Sequence, residues 1–445
     1  MVCRKFFAWL VSGMLLAGYC GAAEYDVLVA GGGPAGIGAG YMAARRGAKV
    51  LVIEKSGRLG GMAVQAMVSP FSVATDSPVV REIAKRIKAG QSVDFSQTDI
   101  LAYDLLVSAG ADVLLHATVL GPVMEGNRVT GLEVLCADGK KVFKGKVVID
   151  ATGNGDVALA AGVPFEIGRS SDKLVQPMSI MFTVGGIQLG KRRICYSEEH
   201  ARSKAWRVFD GRTWEDVVQE AIKNGELPPE VGVIRLYQAP FPGGNVVNAT
   251  QVNGLYGTRS EDLTKAEIVC RKQAVQILAV LKKNLPGYAN AYIATMPAVV
   301  GVRETRRFEG VERLEVEDCL TGRRRANAIA RRCSFVIDIH NPAGSGQAEN
   351  HSKDAVTGGA RRVKPYDIPY GAIVPKKVDG LLLSGRCLSA SHEALASCRV
   401  MGNAMATGVG AGAAAAWAVR NRIEVRDVPA EKLDLFTLDS PLNVR

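Results

Sequence analysis

Few side chains in this chain of 445 residues could do proton or anion chemistry, and there are only five histidines. His340 lies in Asp338-Ile339-His340-Asn341-Pro342, after an apolar run, and His392 lies in Ser389-Ala390-Ser391-His392-Glu393. An imidazole titrates near neutral pH, so either one can take a hydroxyl proton. The competing role for each is a hydrogen-bonded structural residue. His116 falls in a strand-like run and reads as structural, and His200 has no supporting context. Arg303 and Arg306 fall in Gly301-Val302-Arg303-Glu304-Thr305-Arg306-Arg307. Guanidinium forks bind carboxylates and developing oxyanions. An internal ion pair with Glu304 or Glu309 competes for the same arginines. Met178 and Tyr370 read as core residues near a pocket.

A second group is shaped for phosphates. Gly31-Gly32-Gly33-Pro34-Ala35-Gly36 is a G-x-G-x-x-G between an apolar run, Tyr25–Ala30, and a helical stretch, Ile37–Arg46. A second apolar run, Lys49–Ile53, ends at Glu54. This is a βαβ unit with glycines at its first turn and an acid at the tip of its second strand. Gly31 permits the turn, Gly33 lets a pyrophosphate approach the backbone, and Gly36 lets helix and strand touch. The helix N-terminus offers free N–H groups and the positive end of its dipole. Glu54 can accept from both ribose hydroxyls and would repel a 2′-phosphate, which disfavours NADP. Arg58-Leu59-Gly60-Gly61-Met62 follows, with paired glycines that let the chain pass close to a diphosphate.

The elements that must hold these groups can be read in order. Leu101–Ser108 reads as a helix, Ala111–Val119 as a strand, and Asn127–Cys136 with Lys140–Val148 as a hairpin about Asp138-Gly139. Val147-Val148-Ile149-Asp150-Ala151-Thr152-Gly153 is an apolar strand running into a small-residue turn, with Asn154-Gly155-Asp156 after it. In the middle, Met178–Val184, Val233–Tyr237 and Asn245–Gly254 read as strands, and Thr213–Lys223 and Leu263–Lys283 as amphipathic helices. His351–Gly359 reads as a mobile loop. Gly380–Arg386 reads as a strand returning beside the first one, and Ser397–Val419 as one long small-residue helix. The positive end of that helix suits negative charge.

Residues 1–23 read as a secretory signal peptide, with basic Arg4 and Lys5, an apolar Phe6–Ala17, and small Gly21-Ala22-Ala23. The chain is therefore expected to be secreted or periplasmic. Lipidation at Cys20 is disfavoured by Tyr19, and Arg4-Lys5 only weakly echoes a twin-arginine signal. No other segment is expected to span a membrane. The net charge is +11, but its basic residues are dispersed without interleaved aromatics, which excludes a nucleic-acid module. Of nine cysteines, Cys3 and Cys20 leave with the signal. The rest form no C-x-x-C, so no redox dithiol or metal framework is expected. A second G-x-G-x-x-G, a G-x-S-x-G, an H-E-x-x-H and a P-loop are also lacking.

Taken together, GGGPAG, IEK with RLGGM, VIDATGNGD, GVRETRRFEG, FVIDIHNP, YDIPYGAIVP and GLLLSGRCLSASHEALASCRVMG resemble the bacterial FAD-dependent oxidoreductases of the glutathione-reductase-like superfamily with one dinucleotide-binding fold. The resemblance implies an α/β, Rossmann-like FAD-binding domain in three layers around a parallel sheet, with an inserted α+β substrate lobe. The expected division is a FAD-binding domain at 24–165 and 363–425, a cap at 166–362 and a tail at 426–445. Expected FAD contacts are Gly31, Gly33, Pro34, Ala35, Gly36, Glu54, Lys55, Arg58, Gly60, Gly61, Met62, Val119, Ala151, Thr152, Gly153, Asp156, Gly385, Arg386, Ser391 and Arg399. Candidate catalytic residues are His340, His392, Arg303 and Arg306, and no metal is expected. The implied reaction is hydride transfer between a small-molecule substrate and flavin N5, with a sugar or polyol alcohol as first choice and the electron acceptor unknown. The alternatives are reduction of an activated double bond, or a flavin protein that only passes electrons.

Overall fold

The computed structural model describes residues 24–87, 94–203, 211–346 and 361–436. The expected signal segment, the loop His351–Gly359 and the end of the tail lie outside the described residues. The first strand, Glu24–Ala30, lies between Val50–Ile53 and Gly139–Asp150 and is parallel to both. Val27–Ala30, Val50–Ile53 and Val147–Ile149 are all buried. Such continuous apolar runs suit strands covered on both faces. The sheet continues through Asp112–Leu114 on one side, and on the other through the antiparallel strands Arg128–Cys136 and Thr118–Glu125.

The return strand, Leu381–Leu383, pairs in parallel with Val148–Asp150 and not with the first strand. Both edges of Glu24–Ala30 are already taken. Arg128–Cys136 occupies only Gly139–Lys144 of the longer strand, so its inner half has an open edge. His116 is not in a strand: it sits at φ 52° between Asp112–Leu114 and Thr118–Glu125. Those strands pair with different partners, so the chain turns there.

The small-residue stretch forms two helices, His392–Cys398 and Met401–Asn421, with extended backbone at Val400 (φ −63°, ψ 150°). The second helix packs on Pro34–Arg45 backbone to backbone. A Cβ on Gly408 would lie 2.0 Å from the Ala35 carbonyl oxygen, and one on Gly38 would lie 2.4 Å from that of Met405. Both positions therefore require glycine.

The lobe holds a four-stranded antiparallel sheet in the order Tyr292–Thr295, Met181–Gly185, Asn245–Asn248, Arg235–Gln238. The helices Trp214–Lys223 and Ser260–Asn284 cover it, the former starting at a capping box between Thr213 and Asp216. The strand expected to run to Gly254 stops at Asn248 because the Thr250 side chain takes over the pairing. Its hydroxyl accepts from Ile180 N at 2.8 Å and donates to Ile180 O at 3.0 Å. The lobe core runs from Met178 to Val300. Phe308, Leu314, Ile329 and Cys333, although inside the span 166–362, pack into the nucleotide-domain core, as do Leu433 and Leu435 of the tail. Met178 belongs to the lobe core, and the Tyr370 hydroxyl is buried on the Val425 carbonyl.

Among the described residues all seven cysteines are free. No described helix is long and apolar enough to cross a membrane, and no described cluster of His, Cys, Asp or Glu is arranged to hold a metal ion.

Candidate active site

The glycine turn has an open side. Gly31 takes φ 103°, and a Cβ there would lie 2.5 Å from the Ala151 carbonyl oxygen. Gly33 differs. Its φ is −75°, and a Cβ would meet only Gly61 Cα, at 3.8 Å. The helix that Gly33 caps has Pro34 at its start and no side-chain cap, so its first N–H groups point into that open side. Gly60 N donates to Gly32 O at 2.8 Å, which brings Gly61 and Met62 against the turn. Glu54 is buried and accepts from Gly32 N at 2.8 Å and Ser56 N at 3.0 Å. This is a cradle for a dinucleotide. Lys55 and Arg58 are exposed, Arg58 paired with Asp99 at 3.3 Å, and Val119 is half-buried on an antiparallel strand.

Opposite the glycine turn, the loop after Val147–Asp150 is fixed by a residue that sequence reading passed over. Asp150 is fully buried and accepts from Thr152 N, Thr152 Oγ1 (2.7 Å) and Ala158 N (2.9 Å). Burial pushes its carboxyl pKa up. Arg386 donates to the Gly153 carbonyl at 3.1 Å, to Asn154 Oδ1 at 2.6 Å and to the Val302 carbonyl. Its guanidinium is pushed down to about 10, chiefly by burial. Arg386 therefore ties Ala151–Gly153 to the segment bearing Arg303. Gly385, at φ 77°, faces Ala35. The helix from Met401 also starts without a side-chain cap and is buried there.

The four candidate catalytic residues fall in three places. His392 Nδ1 lies 2.8 Å from Glu304 Oε1, and Glu304 also pairs with Arg307 and accepts from Gln176 N at 3.1 Å. All of these side chains are buried. Ser391 caps the helix of His392 by accepting from Ala394 N. Arg306 lies apart, against the Phe165 ring, the Asn154 carbonyl and Asp156.

Arg303 and His340 line one narrow cleft with Arg235, Asn248, Thr250 and Gln251 of the lobe, with about 10 Å³ of free space. Arg303 donates to the Pro177 carbonyl at 2.6 Å. Its guanidinium is pushed down to about 9, first by burial and then by Arg399. His340 is held well below the ordinary imidazole value by burial and by Arg303, against the opposing pull of Asp338 at 3.7 Å. Arg399 donates to the Asp338 carbonyl at 2.9 Å and, with the His340 amide, to Gln176 Oε1.

His340 gives a pH prediction. Unfolded, its imidazole binds a proton below about pH 6.5; folded, it does so only at lower pH. The unfolded chain thus carries the extra proton within that window, so this residue makes stability fall as pH drops below 6.5. Urea midpoints measured from pH 7.5 to 5 should show the decline, and His340→Gln should flatten it.

Glu304, Arg307, Gln176, Arg235 and Asp338 were not singled out as site residues by sequence. Glu304 and Arg307 do stand in the motif around Arg303; Arg235 sits in an ordinary strand with no local signal.

A dinucleotide cradle at the end of a parallel sheet, tied by Arg386 to the segment bearing Arg303, fits a Rossmann-type FAD-binding oxidoreductase. Residues 26–435 match the family described as FAD dependent oxidoreductase, and the chain belongs to that family. It is an enzyme with FAD as its cofactor. It is similar to digeranylgeranylglycerophospholipid reductase 1 of Methanococcoides burtonii, at 26% identity over 260 residues, covering 50% of this chain and 61% of that one. The namesake of Methanopyrus kandleri is 29% identical over 149 residues, covering 29% and 40%. The chain thus matches less than two thirds of either relative's length. A solved geranylgeranyl bacteriochlorophyll reductase-like protein of Thermoplasma acidophilum superposes with TM-score 0.47 at 15% identity, covering 90% of this chain and 80% of that one.

Proposed function

We propose that this enzyme oxidises an alcohol of a small hydroxylated molecule, a sugar or polyol derivative, in the cleft between the FAD cradle and the lobe. The observation that carries the reading is the shared cleft of Arg303 and His340, beside a segment that Arg386 ties to the end of the cradle. FAD, when bound, supplies a two-electron acceptor for hydride. Gly31, Gly33, Gly36, Gly60, Gly61 and the Pro34 helix would hold its diphosphate, and Glu54 its ribose. Ala151–Gly153 and the uncapped start of the Met401 helix would flank the ring system.

The chain's own residues do the proton chemistry. A histidine kept neutral has a lone pair to take the hydroxyl proton, and the Arg303 guanidinium beside it favours oxygen as negative charge develops. Glu304 accepts the Nδ1 proton of His392 and fixes its tautomer, while Arg307 holds Glu304; this network positions the loop before the Met401 helix. A buried cleft of polar side chains favours a bound substrate over mere electron transfer. The reductase names of the relatives favour the second reading, reduction of a double bond. That the enzyme acts outside the cytoplasm rests on residues 1–23 alone, and its place in the glutathione-reductase-like superfamily on the motifs.

The test is anaerobic mixing of the yellow protein with sugars, polyols and their acids. An alcohol that bleaches the flavin band supports the reading; bleaching only by a reductant, reversed by an alkene, supports the second. With the active alcohol, His340→Gln should lower kcat by about 10²–10⁴ with flavin content unchanged. A kcat within about twofold of the parent would remove His340 from proton transfer.

A further inference from the structure

We infer that one end of the lobe docks peripherally on an anionic lipid bilayer, through a leucine-tipped turn set among basic side chains. The inference is independent of the alcohol-oxidising reading, because it concerns a surface away from the cleft.

Three loops meet at the end of the lobe sheet where Met181–Gly185 leaves and Asn245–Asn248 and Tyr292–Thr295 enter. Ile187 N donates to Gly243 O at 3.0 Å, Gln188 N to Gly287 O at 2.9 Å, and Arg193 N to the buried Tyr288 hydroxyl at 3.0 Å. From this base the chain makes a tight turn, in which Lys191 N donates to Gln188 O at 3.0 Å and Gly190 takes φ 77°. A Cβ on Gly190 would meet nothing within 4 Å, so the turn stands clear of the protein. Its other corner is Leu189, 76% exposed, the most exposed of the large apolar side chains among the described residues. Tyr292, 57% exposed, lies against Gly186 at the foot of the turn.

An exposed leucine alone needs no explanation. The charge around this one distinguishes it. Lys191-Arg192-Arg193 follows it directly, and Lys282 and Lys283 stand at the end of the helix that leads into the Gly287 loop. Residues 186–193, 240–244 and 285–292 contain no Asp or Glu. Lys191 and Arg192 make no ion pair among the described residues, whereas Lys283 pairs with Glu226 at 2.6 Å.

An apolar tip projecting beyond a basic rim matches a lipid headgroup layer. The leucine and the tyrosine ring enter the acyl boundary, and the cations stay at the level of the phosphates. A purely polyanionic partner such as nucleic acid would use the cations and gain nothing from Leu189. The cleft lies at the other end of the same strands, where Arg235 begins its strand and Asn248 ends its own, so docking leaves it open.

The apolar residues within 1–23 would bind lipid by themselves, so the test uses the FAD-loaded chain from Glu24, where the described fold begins. It is sedimented with vesicles of phosphatidylcholine alone, or of phosphatidylcholine with an equal part of phosphatidylglycerol. The protein should pellet with the mixed vesicles, stay in solution with phosphatidylcholine alone, and be released by high salt. Lys191→Gln combined with Arg192→Gln should weaken binding by about tenfold or more. Leu189→Ser should weaken it by about fivefold or more with the charge unchanged. Val107→Ser, which removes another exposed apolar side chain on the helix Phe95–Ser108, should bind like the parent. The bound-flavin spectrum shows that each variant is folded. Pelleting with neither vesicle, equal pelleting with both, or mixed-vesicle binding that Leu189→Ser leaves at the parent's level overturns the inference. Binding to duplex DNA without binding to vesicles would assign the patch to a polyanion and overturn it as well.

Discussion

Replacing Gly33 with valine should give a folded, colourless protein. At this position the backbone has an ordinary negative φ, and a Cβ would meet nothing of the chain closer than Gly61 Cα at 3.8 Å. The fold therefore tolerates a side chain there. The diphosphate does not, because the same space leads to the uncapped first turn of Pro34–Arg45. FAD affinity should fall by roughly tenfold or more, a loss of at least about 1.4 kcal/mol in binding. The urea midpoint of the apoprotein should match that of the apo parent. Gly36→Val is the contrasting control: its Cβ would lie 1.8 Å from the Gly31 carbonyl oxygen, so that change should damage folding itself. Gly33→Val retaining full flavin would refute the assignment of the cradle.

The second large effect concerns stability. Glu304 is fully enclosed between Arg307 and His392, and the Arg307 side chain is 3% exposed. Removing the carboxylate leaves Arg307 the Ala390 and Gly168 carbonyls and a longer ion pair with Glu166 at 3.5 Å. Breaking a buried pair by deleting one partner costs about 3–5 kcal/mol. Glu304→Ala should therefore lower the unfolding free energy by up to about that amount, read as a lower urea midpoint at constant m. Glu304→Gln, which keeps the volume, should lose part of it. An unchanged midpoint for both would mean that the network does not hold the segment joining the two parts of the site.

The nucleotide half was legible because its chemistry is local. Gly31 to Gly36, the flanking apolar strands and Glu54 lie in one βαβ stretch, so composition and spacing alone announce the cradle. The Ala151–Gly153 turn was equally visible, though Asp150, whose carboxylate shapes it, reads in sequence as the end of an apolar strand. The cleft was only half visible. Arg303 and His340 stand in recognisable blocks, but the lobe wall they share includes Arg235 and Gln251, which no spacing connects to them. Arg306 lies three residues from Arg303, yet it points to Asn154 and Phe165. Arg303 lies in the irregular segment before the strand Arg306–Phe308 that Arg306 opens, and sequence did not separate the two arginines. The break at Val400 was hidden for another reason. The stretch is uniformly small and helix-compatible, and what divides it is contact with distant chain, such as Ser72 against Gly402.

The most direct test of a FAD-holding cradle feeding this cleft is the visible spectrum of the purified protein, repeated on the supernatant after denaturation. Two flavin bands, with a cofactor that chromatographs as FAD once released, are the predicted result. A colourless protein that also fails to take up added FAD would contradict the account at its root.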